Sequence, residues 1–153
     1  MQVNDKAPGF MLPDENGMQV SLDDYSGKYV VLFFFPKADT PGCTTEVCTF
    51  RDAYYRIERA GAVILGISAD PPEKQLQFKE KNNLPFSLLS DRKHLVCENY
   101  GVLRDRSSRG TVSVGIERTT FLISPGGRIV RIFQKVRPQG HGDEVWAALQ
   151  MLP

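Results

Sequence analysis

The sequence of 153 residues has almost no net charge and no long apolar run, and each shortage excludes a class of protein. Its 19 basic and 18 acidic residues give a formal net charge of +1, so no overall field attracts nucleic acid or an anionic membrane. No apolar segment approaches the roughly 20 residues that a membrane-spanning helix needs. The first residues lack the apolar core of a signal peptide. We therefore expect neither a membrane nor a nucleic-acid partner.

Cysteine is also scarce, because the chain has only Cys43, Cys48 and Cys97. A small secreted protein held together by disulfides usually carries more cysteines, in an even number. We therefore expect a cytoplasmic protein, and in the cytosol cysteines are more often catalytic, redox-active or simply buried. The length suits one domain with a substantial core, so residues 1–153 are expected to form a single domain.

Strands and helices alternate in the predicted order of elements. The apolar residues 29–35 and 63–68 are typical of buried strands. Short hairpins are predicted at residues 10–20 and 119–133 from their turn residues. The remaining predicted elements are helices at Pro41–Arg59, 73–81, 94–100 and 142–149, an extended segment at 84–89, and a mobile loop at 104–115. This order predicts an α/β protein with a thioredoxin-like fold, in which a central mixed sheet has helices on both faces and an N-terminal β-hairpin precedes it.

Cys43 directly follows Thr40, Pro41 and Gly42, a segment that is typical of a helix start. Pro41 suits the first helical position, and Thr40 is expected to supply the N-cap oxygen. Cys43 then lies in the first helical turn, where free backbone N–H groups and the helix dipole favour negative charge. A thiol in that field ionises more readily, and the thiolate is the reactive form. The sequence therefore predicts a reactive cysteine at residue 43.

Three interpretations of Cys43 and Cys48 remain open at this level. They could be small buried core residues, or they could join Cys97 and His94 in a metal cluster, although structural zinc prefers cysteine pairs two to four residues apart. They could also form a redox pair. On an intact helix, residues five apart have Cα atoms roughly 8.7 Å apart, beyond the roughly 7 Å limit for a disulfide. A redox pair with this spacing requires the start of the helix to unwind.

The segment from residue 33 to residue 48, FFFPKADTPGCTTEVC, resembles the active-site segment of the peroxiredoxins. Within that family it is similar to the bacterioferritin-comigratory, or peroxiredoxin Q, subgroup. Further matching segments occur in family order at residues 7–10, 66–70, 84–91 and 118–123. The resemblance covers nearly the whole chain, and it implies a thioredoxin-like fold and a thiol peroxidase activity.

The resemblance also implies roles for individual residues. Cys43 matches the peroxidatic cysteine, which becomes a sulfenic acid, and Cys48 matches the resolving cysteine that then forms a disulfide with it. The surroundings of the thiol are matched by Pro36, Thr40, Arg118 and Glu46, of which Glu46 is expected to orient the arginine. The implied reductant is thioredoxin or a similar dithiol, and no flavin, haem or metal is implied. We expect a monomer, because the disulfide would lie within one chain.

Overall fold

A computed structural model of the protein describes residues 1–107, 110 and 113–152. The strands among these residues are β1 (Met11–Pro13), β2 (Gln19–Ser21), β3 (Tyr29–Phe34), β4 (Ala62–Ser68), β5 (Ser87–Ser90), β6 (Leu103–Asp105), β7 (Val114–Ile116), β8 (Thr119–Ile123) and β9 (Ile129–Phe133). The α-helices are α1 (Pro41–Arg59), α2 (Pro72–Asn82), α3 (Leu95–Asn99) and α4 (His141–Gln150). None of the helices in these residues is long and apolar enough to cross a membrane.

The central sheet has five strands in the order β5-β4-β3-β8-β9. Strand β3 pairs with β4 in parallel and with β8 antiparallel, and β4 pairs with β5 in parallel. The parallel pairs need helical crossovers, which α1 and α2 provide, whereas β8 and β9 are joined by a tight turn and pair antiparallel. The predicted thioredoxin-like mixed sheet is therefore confirmed, and β1 and β2 form the predicted N-terminal hairpin.

The two faces of the sheet bury separate apolar clusters, because side chains along β3 alternate between them. Val31 and Phe33 point to the cluster that includes residues of α1 and α4. Leu32 and Phe34 point to the opposite cluster, which includes residues of α3 and the N-terminal hairpin. Each of these side chains is fully buried, and such burial contributes about 1.5–3 kcal/mol per side chain. The helices thus lie on both faces of the sheet, and β3 is held between them.

Helix α1 occupies the predicted range and ends where a glycine permits a change of direction. Ala60 follows its last residue, and Gly61 has a φ of +84°, a conformation that glycine adopts without strain. The buried apolar residues of α1 are three or four positions apart, so a single apolar stripe faces the sheet: Cys43, Val47, Phe50, Ala53 and Ile57. The predicted capping of this helix is wrong in one respect. Thr40 is the N-cap residue, but its hydroxyl donates to the Lys37 carbonyl at 2.9 Å instead of accepting from the helix.

One other prediction needs correction. The segment 104–115 was predicted to be a mobile loop, but Arg104 and Asp105 belong to β6, which pairs with β7 through Gly115 and Val114. Residues 108, 109, 111 and 112 of that segment lie outside the described residues. Helix α2 extends the helix predicted at 73–81 by one residue at each end, and it buries Phe78 against the core.

Candidate active site

Cys43 lies in the first turn of α1, close to the end of the central strand β3, and it is fully buried. The first backbone hydrogen bond of the helix joins the Thr44 N–H to the Thr40 carbonyl at 2.8 Å. The N–H groups of Gly42 and Cys43 precede that bond, so they have no acceptor within the helix. The sulfur therefore lies at the positive end of a 19-residue helix. Such a helix end stabilises negative charge that develops close to it.

Arg118 brings a cation to the same sulfur from a distant part of the chain. It immediately precedes β8, whose first residue, Thr119, pairs with Phe34 at the end of β3. This pairing carries Arg118 to the end of the sheet where α1 begins. Its Nη1 donates to Cys43 Sγ at 3.4 Å and to Glu46 Oε1 at 2.8 Å. One guanidinium nitrogen thus contacts both the thiol and the carboxyl group.

Glu46 follows Cys43 by nearly one helical turn and is fully buried. Its Oε1 accepts from Arg118, while Oε2 has no hydrogen-bond partner among the described residues. Burial raises the pKa of Glu46 from 4.5 to about 7, although the charge and hydrogen bond of Arg118 act in the opposite direction. For Arg118, burial alone would lower the pKa, but the charges of Glu46 and Cys43 raise it overall. The arginine therefore stays cationic, whereas the carboxyl group can change its protonation state near neutral pH.

Gly42 provides the space that the guanidinium occupies. A Cβ atom at this position would lie 3.1 Å from Arg118 Nη2 and 3.8 Å from Pro138 Cγ. Both contacts are with the walls of the site, so a larger residue would press on the arginine. This requirement was missed in the sequence analysis, in which Gly42 was treated only as part of a helix start.

The loop between β3 and α1 is fixed to the end of β4. Asp70 Oδ2 accepts from the Ala38 N–H at 2.7 Å and from the Ser68 hydroxyl at 2.7 Å. Thr40 and Pro36 both belong to this loop. Thr40 is half-buried and directs its hydroxyl hydrogen to a loop carbonyl, while Pro36 is exposed. No recorded contact among the described residues joins either side chain to the Cys43 sulfur, so their assigned roles stay predictions.

Cys48 lies on the unbroken helix α1, and neither it nor Cys43 is in a disulfide. Its sulfur is half-buried and donates to Asn82 Oδ1 at the end of α2, at 3.7 Å. The helix is anchored just beyond this point, because the Gly142 N–H of α4 donates to Thr49 Oγ1 at 3.0 Å. The approach is close, since a Cβ on Gly142 would lie 2.2 Å from the Thr49 carbonyl oxygen. The segment from Cys43 to Cys48 therefore precedes the fixed part of the helix.

Cys97 lies away from the other two cysteines. It belongs to the cluster on the opposite face of the sheet, where its N–H donates to Asp91 Oδ2 at 2.8 Å. Burial raises the pKa of its thiol, and the neighbouring Asp91 raises it further. The sheet separates Cys97 from Cys43, which argues against a metal cluster containing all three cysteines. Among the described residues, no group of three or more histidine, cysteine or acidic side chains could hold a metal ion.

This fold and this cysteine define a class of protein. The Cys43 thiol lies in the first turn of the helix that follows the central strand of a thioredoxin-like sheet, and an arginine contacts it, an arrangement suited to thiol-based redox catalysis.

Comparison with known proteins identifies the family within this class. Residues 3–132 match the model of the AhpC/TSA family, so the chain belongs to that family. The chain is 45% identical to peroxiredoxin Bcp of Bacillus subtilis over 152 residues, which cover 99% of this chain and 95% of the relative. It is also 45% identical to peroxiredoxin Bcp of Escherichia coli K12, with 95% of this chain and 93% of the relative covered.

Solved structures agree with this assignment. The bacterioferritin comigratory protein of Xanthomonas campestris, studied for its alkyl peroxide reduction, superimposes with a TM-score of 0.88 at 38% identity. That match covers 92% of this chain and 90% of the other. Peroxidoxin BcpB of Mycobacterium tuberculosis superimposes with a TM-score of 0.90 at 34% identity, covering 100% of this chain and 99% of the other. The chain is thus a peroxiredoxin of the bacterioferritin-comigratory group, as the active-site segment predicted.

Proposed function

We propose that this thiol peroxidase reduces hydrogen peroxide and organic hydroperoxides with Cys43 as its nucleophile. The observation that carries the proposal is the Arg118 guanidinium, which contacts the buried Cys43 sulfur at 3.4 Å beside the N-terminus of α1. The alkyl peroxide reduction named for the similar Xanthomonas campestris protein supports this substrate class.

In the first step, the Cys43 thiolate attacks the terminal oxygen of the hydroperoxide. An S–O bond forms and the O–O bond breaks, so that sulfur loses two electrons to the peroxide. The products are a sulfenic acid on Cys43 and an alkoxide or hydroxide that takes up a proton to become alcohol or water. Arg118 and the N–H groups at the helix start, which lack acceptors within the helix, stabilise the thiolate and the charge that develops on the leaving oxygen.

In the second step, the Cys48 thiol attacks the sulfenic sulfur. The S–S bond forms, the S–O bond breaks, and water leaves with the thiol proton. An intact helix holds the two Cα atoms roughly 8.7 Å apart, so the step requires residues 43–48 to unwind. The segment between the cysteines, Thr44 to Val47, contains three β-branched residues of modest helix propensity, which makes unwinding less costly.

An external dithiol then reduces the disulfide by exchange, and thioredoxin is our proposed reductant. The intrachain disulfide favours a monomer, and the low cysteine count favours a cytoplasmic protein. A redox sensor would use the same two cysteines but would be oxidised once and then stall.

Turnover with thioredoxin, thioredoxin reductase and NADPH tests these assignments. Cys43→Ser should abolish peroxide consumption, whereas Cys97→Ser, a matched control on the opposite face of the sheet, should retain it. Cys48→Ser should react once and accumulate a sulfenic acid that dimedone traps as a defined mass increase. Thioredoxin-dependent turnover by Cys43→Ser would overturn the assignment of the nucleophile, and a single oxidation of wild type without turnover would indicate a sensor.

A further inference from the structure

The end of α2 holds the thiol that has to move during the catalytic cycle. Asn82 is the last residue of α2 and is largely buried against α1. Its side-chain nitrogen donates to the Phe78 carbonyl at 3.0 Å. That bond turns the side-chain oxygen toward Cys48, whose thiol donates to it at 3.7 Å. The Asn82 amide is therefore oriented by α2, and its oxygen accepts a hydrogen bond from the Cys48 thiol.

Asn82 makes a second contact with α1, farther along the helix. Arg51 lies three residues after Cys48, and its Nη1 donates to the Asn82 backbone carbonyl at 3.0 Å. The anchoring of Thr49 by Gly142 lies between these two contacts. Unwinding that ends near Thr49 would thus break the contact with Cys48 and leave the contact with Arg51. The end of α2 stays attached to the fixed part of α1 while it releases the thiol.

We propose that Asn82 is a positioning residue for the resolving step, and that its hydrogen bond with Cys48 forms part of the barrier to disulfide formation. The inference rests on the proposed function, in which Cys48 attacks the sulfenic acid of Cys43. In the resting protein, this contact stabilises the helical form in which the two sulfurs cannot meet.

This contact has a consequence for inactivation by excess peroxide. The sulfenic acid of Cys43 either condenses with Cys48 or is attacked by a second peroxide, which adds another oxygen and forms a sulfinic acid. A slower release of Cys48 gives the second reaction more time. Asn82 therefore sets the fraction of turnovers that end in sulfinic acid at a given peroxide concentration.

Rapid-quench mass spectrometry of the reduced protein can separate sulfenic acid formation from disulfide formation. After mixing with hydrogen peroxide, the sulfenic acid is trapped with dimedone and free thiols are alkylated at successive times. In Asn82→Ala, the disulfide should form about two- to fivefold faster, as expected from losing one weak thiol hydrogen bond. The rate of sulfenic acid formation should not change, and the sulfinic acid yield at high peroxide should fall.

Asn82→Asp provides a test that general loosening of α2 cannot imitate. A carboxylate accepts a stronger hydrogen bond from a thiol than an amide does. This variant should therefore form the disulfide more slowly than wild type and accumulate more sulfinic acid. Gln77→Ala, on an exposed side of the same helix, is the matched control and should behave as wild type.

Unchanged or slower disulfide formation in Asn82→Ala would overturn the inference, as would faster formation in both Asn82 variants. If Asn82→Ala does not fold, Asn82→Asp alone decides, because equal or faster resolution there contradicts the proposal. A failure of the proposed function would be recognised separately. In that case wild type itself would form the sulfenic acid but no Cys43–Cys48 disulfide, so the failure would be visible without any variant.

Discussion

The buried carboxyl group of Glu46 should make the stability of the protein depend on pH in a predictable direction. Its pKa is 4.5 in an ordinary setting and about 7 in the fold, where burial opposes its charge. Below pH 4.5 the group is protonated in both the folded and the unfolded chain. Between pH 4.5 and 7 the unfolded chain releases this proton while the folded protein retains it, so the free energy of unfolding falls as pH rises. Above pH 7 the carboxyl group is ionised in both the folded and the unfolded chain, and the free energy of unfolding falls no further on its account.

The magnitude follows from the same values. A rise of the pKa from 4.5 to about 7 corresponds to about 3 kcal/mol, since each pH unit is worth about 1.4 kcal/mol. Glu46→Gln imitates the protonated carboxyl group and cannot ionise. We therefore expect the variant to match wild type near pH 4.5 and to be more stable than wild type by about 3 kcal/mol at pH 8.

Urea unfolding of the reduced protein at several values between pH 4.5 and 8.5 measures this difference. The comparison should be repeated in a Cys43→Ser background, so that the neighbouring thiol does not contribute. Glu80→Gln is the control, because Glu80 is exposed and its side chain makes no recorded hydrogen bond or ion pair in the described part of the chain. A difference between Glu46→Gln and wild type that stays constant with pH would refute the reasoning, since Glu46 would then ionise as an ordinary carboxyl group.

Two further predictions concern the reaction itself. Arg118→Ala should slow the reaction with peroxide at least tenfold even at pH values where the thiol is fully ionised, because the cation also stabilises the leaving oxygen; stopped-flow rates equal to wild type across the pH range would place Arg118 outside the site. Hydrogen exchange should show Thr44 to Cys48 protected in the reduced protein and exposed in the disulfide form, with protection kept beyond Thr49, where α4 anchors the helix; equal protection in both redox states would mean that Cys48 is not the partner.

Much of the local structure follows from the sequence alone. Pro41 at the first helical position and Gly61 after the last residue bound helix α1, because both act through their own backbone conformation. The run of apolar residues in β3 and the turn between β8 and β9 are likewise local signals. The peroxiredoxin-like segment at residues 33–48 indicated the family before any contact was known.

Only the tertiary structure decided which groups meet around the two sulfurs. Arg118 and Cys43 are 75 residues apart, and their contact depends on the pairing of β8 with β3. Without the family resemblance, nothing in the sequence separates this arginine from the others. Cys48 and Asn82 are 34 residues apart and meet because α1 and α2 pack together. Propensity and periodicity act over a few residues, whereas these contacts depend on the pairing of distant strands and the packing of separate helices.

The hydrogen-bond partners and pKa values of single side chains also depend on the tertiary structure. The sequence predicts that the Thr40 hydroxyl caps the helix, but in the folded loop this hydroxyl donates to the Lys37 carbonyl instead. The pKa of Glu46 depends on its complete burial beside Arg118, which no pattern of neighbours along the chain reports. The sequence by itself determined the helix that presents Cys43 and the spacing to Cys48. The tertiary structure decided the charge, the partners and the freedom of movement of those groups, because each of these depends on atoms that the fold brings together from elsewhere in the chain.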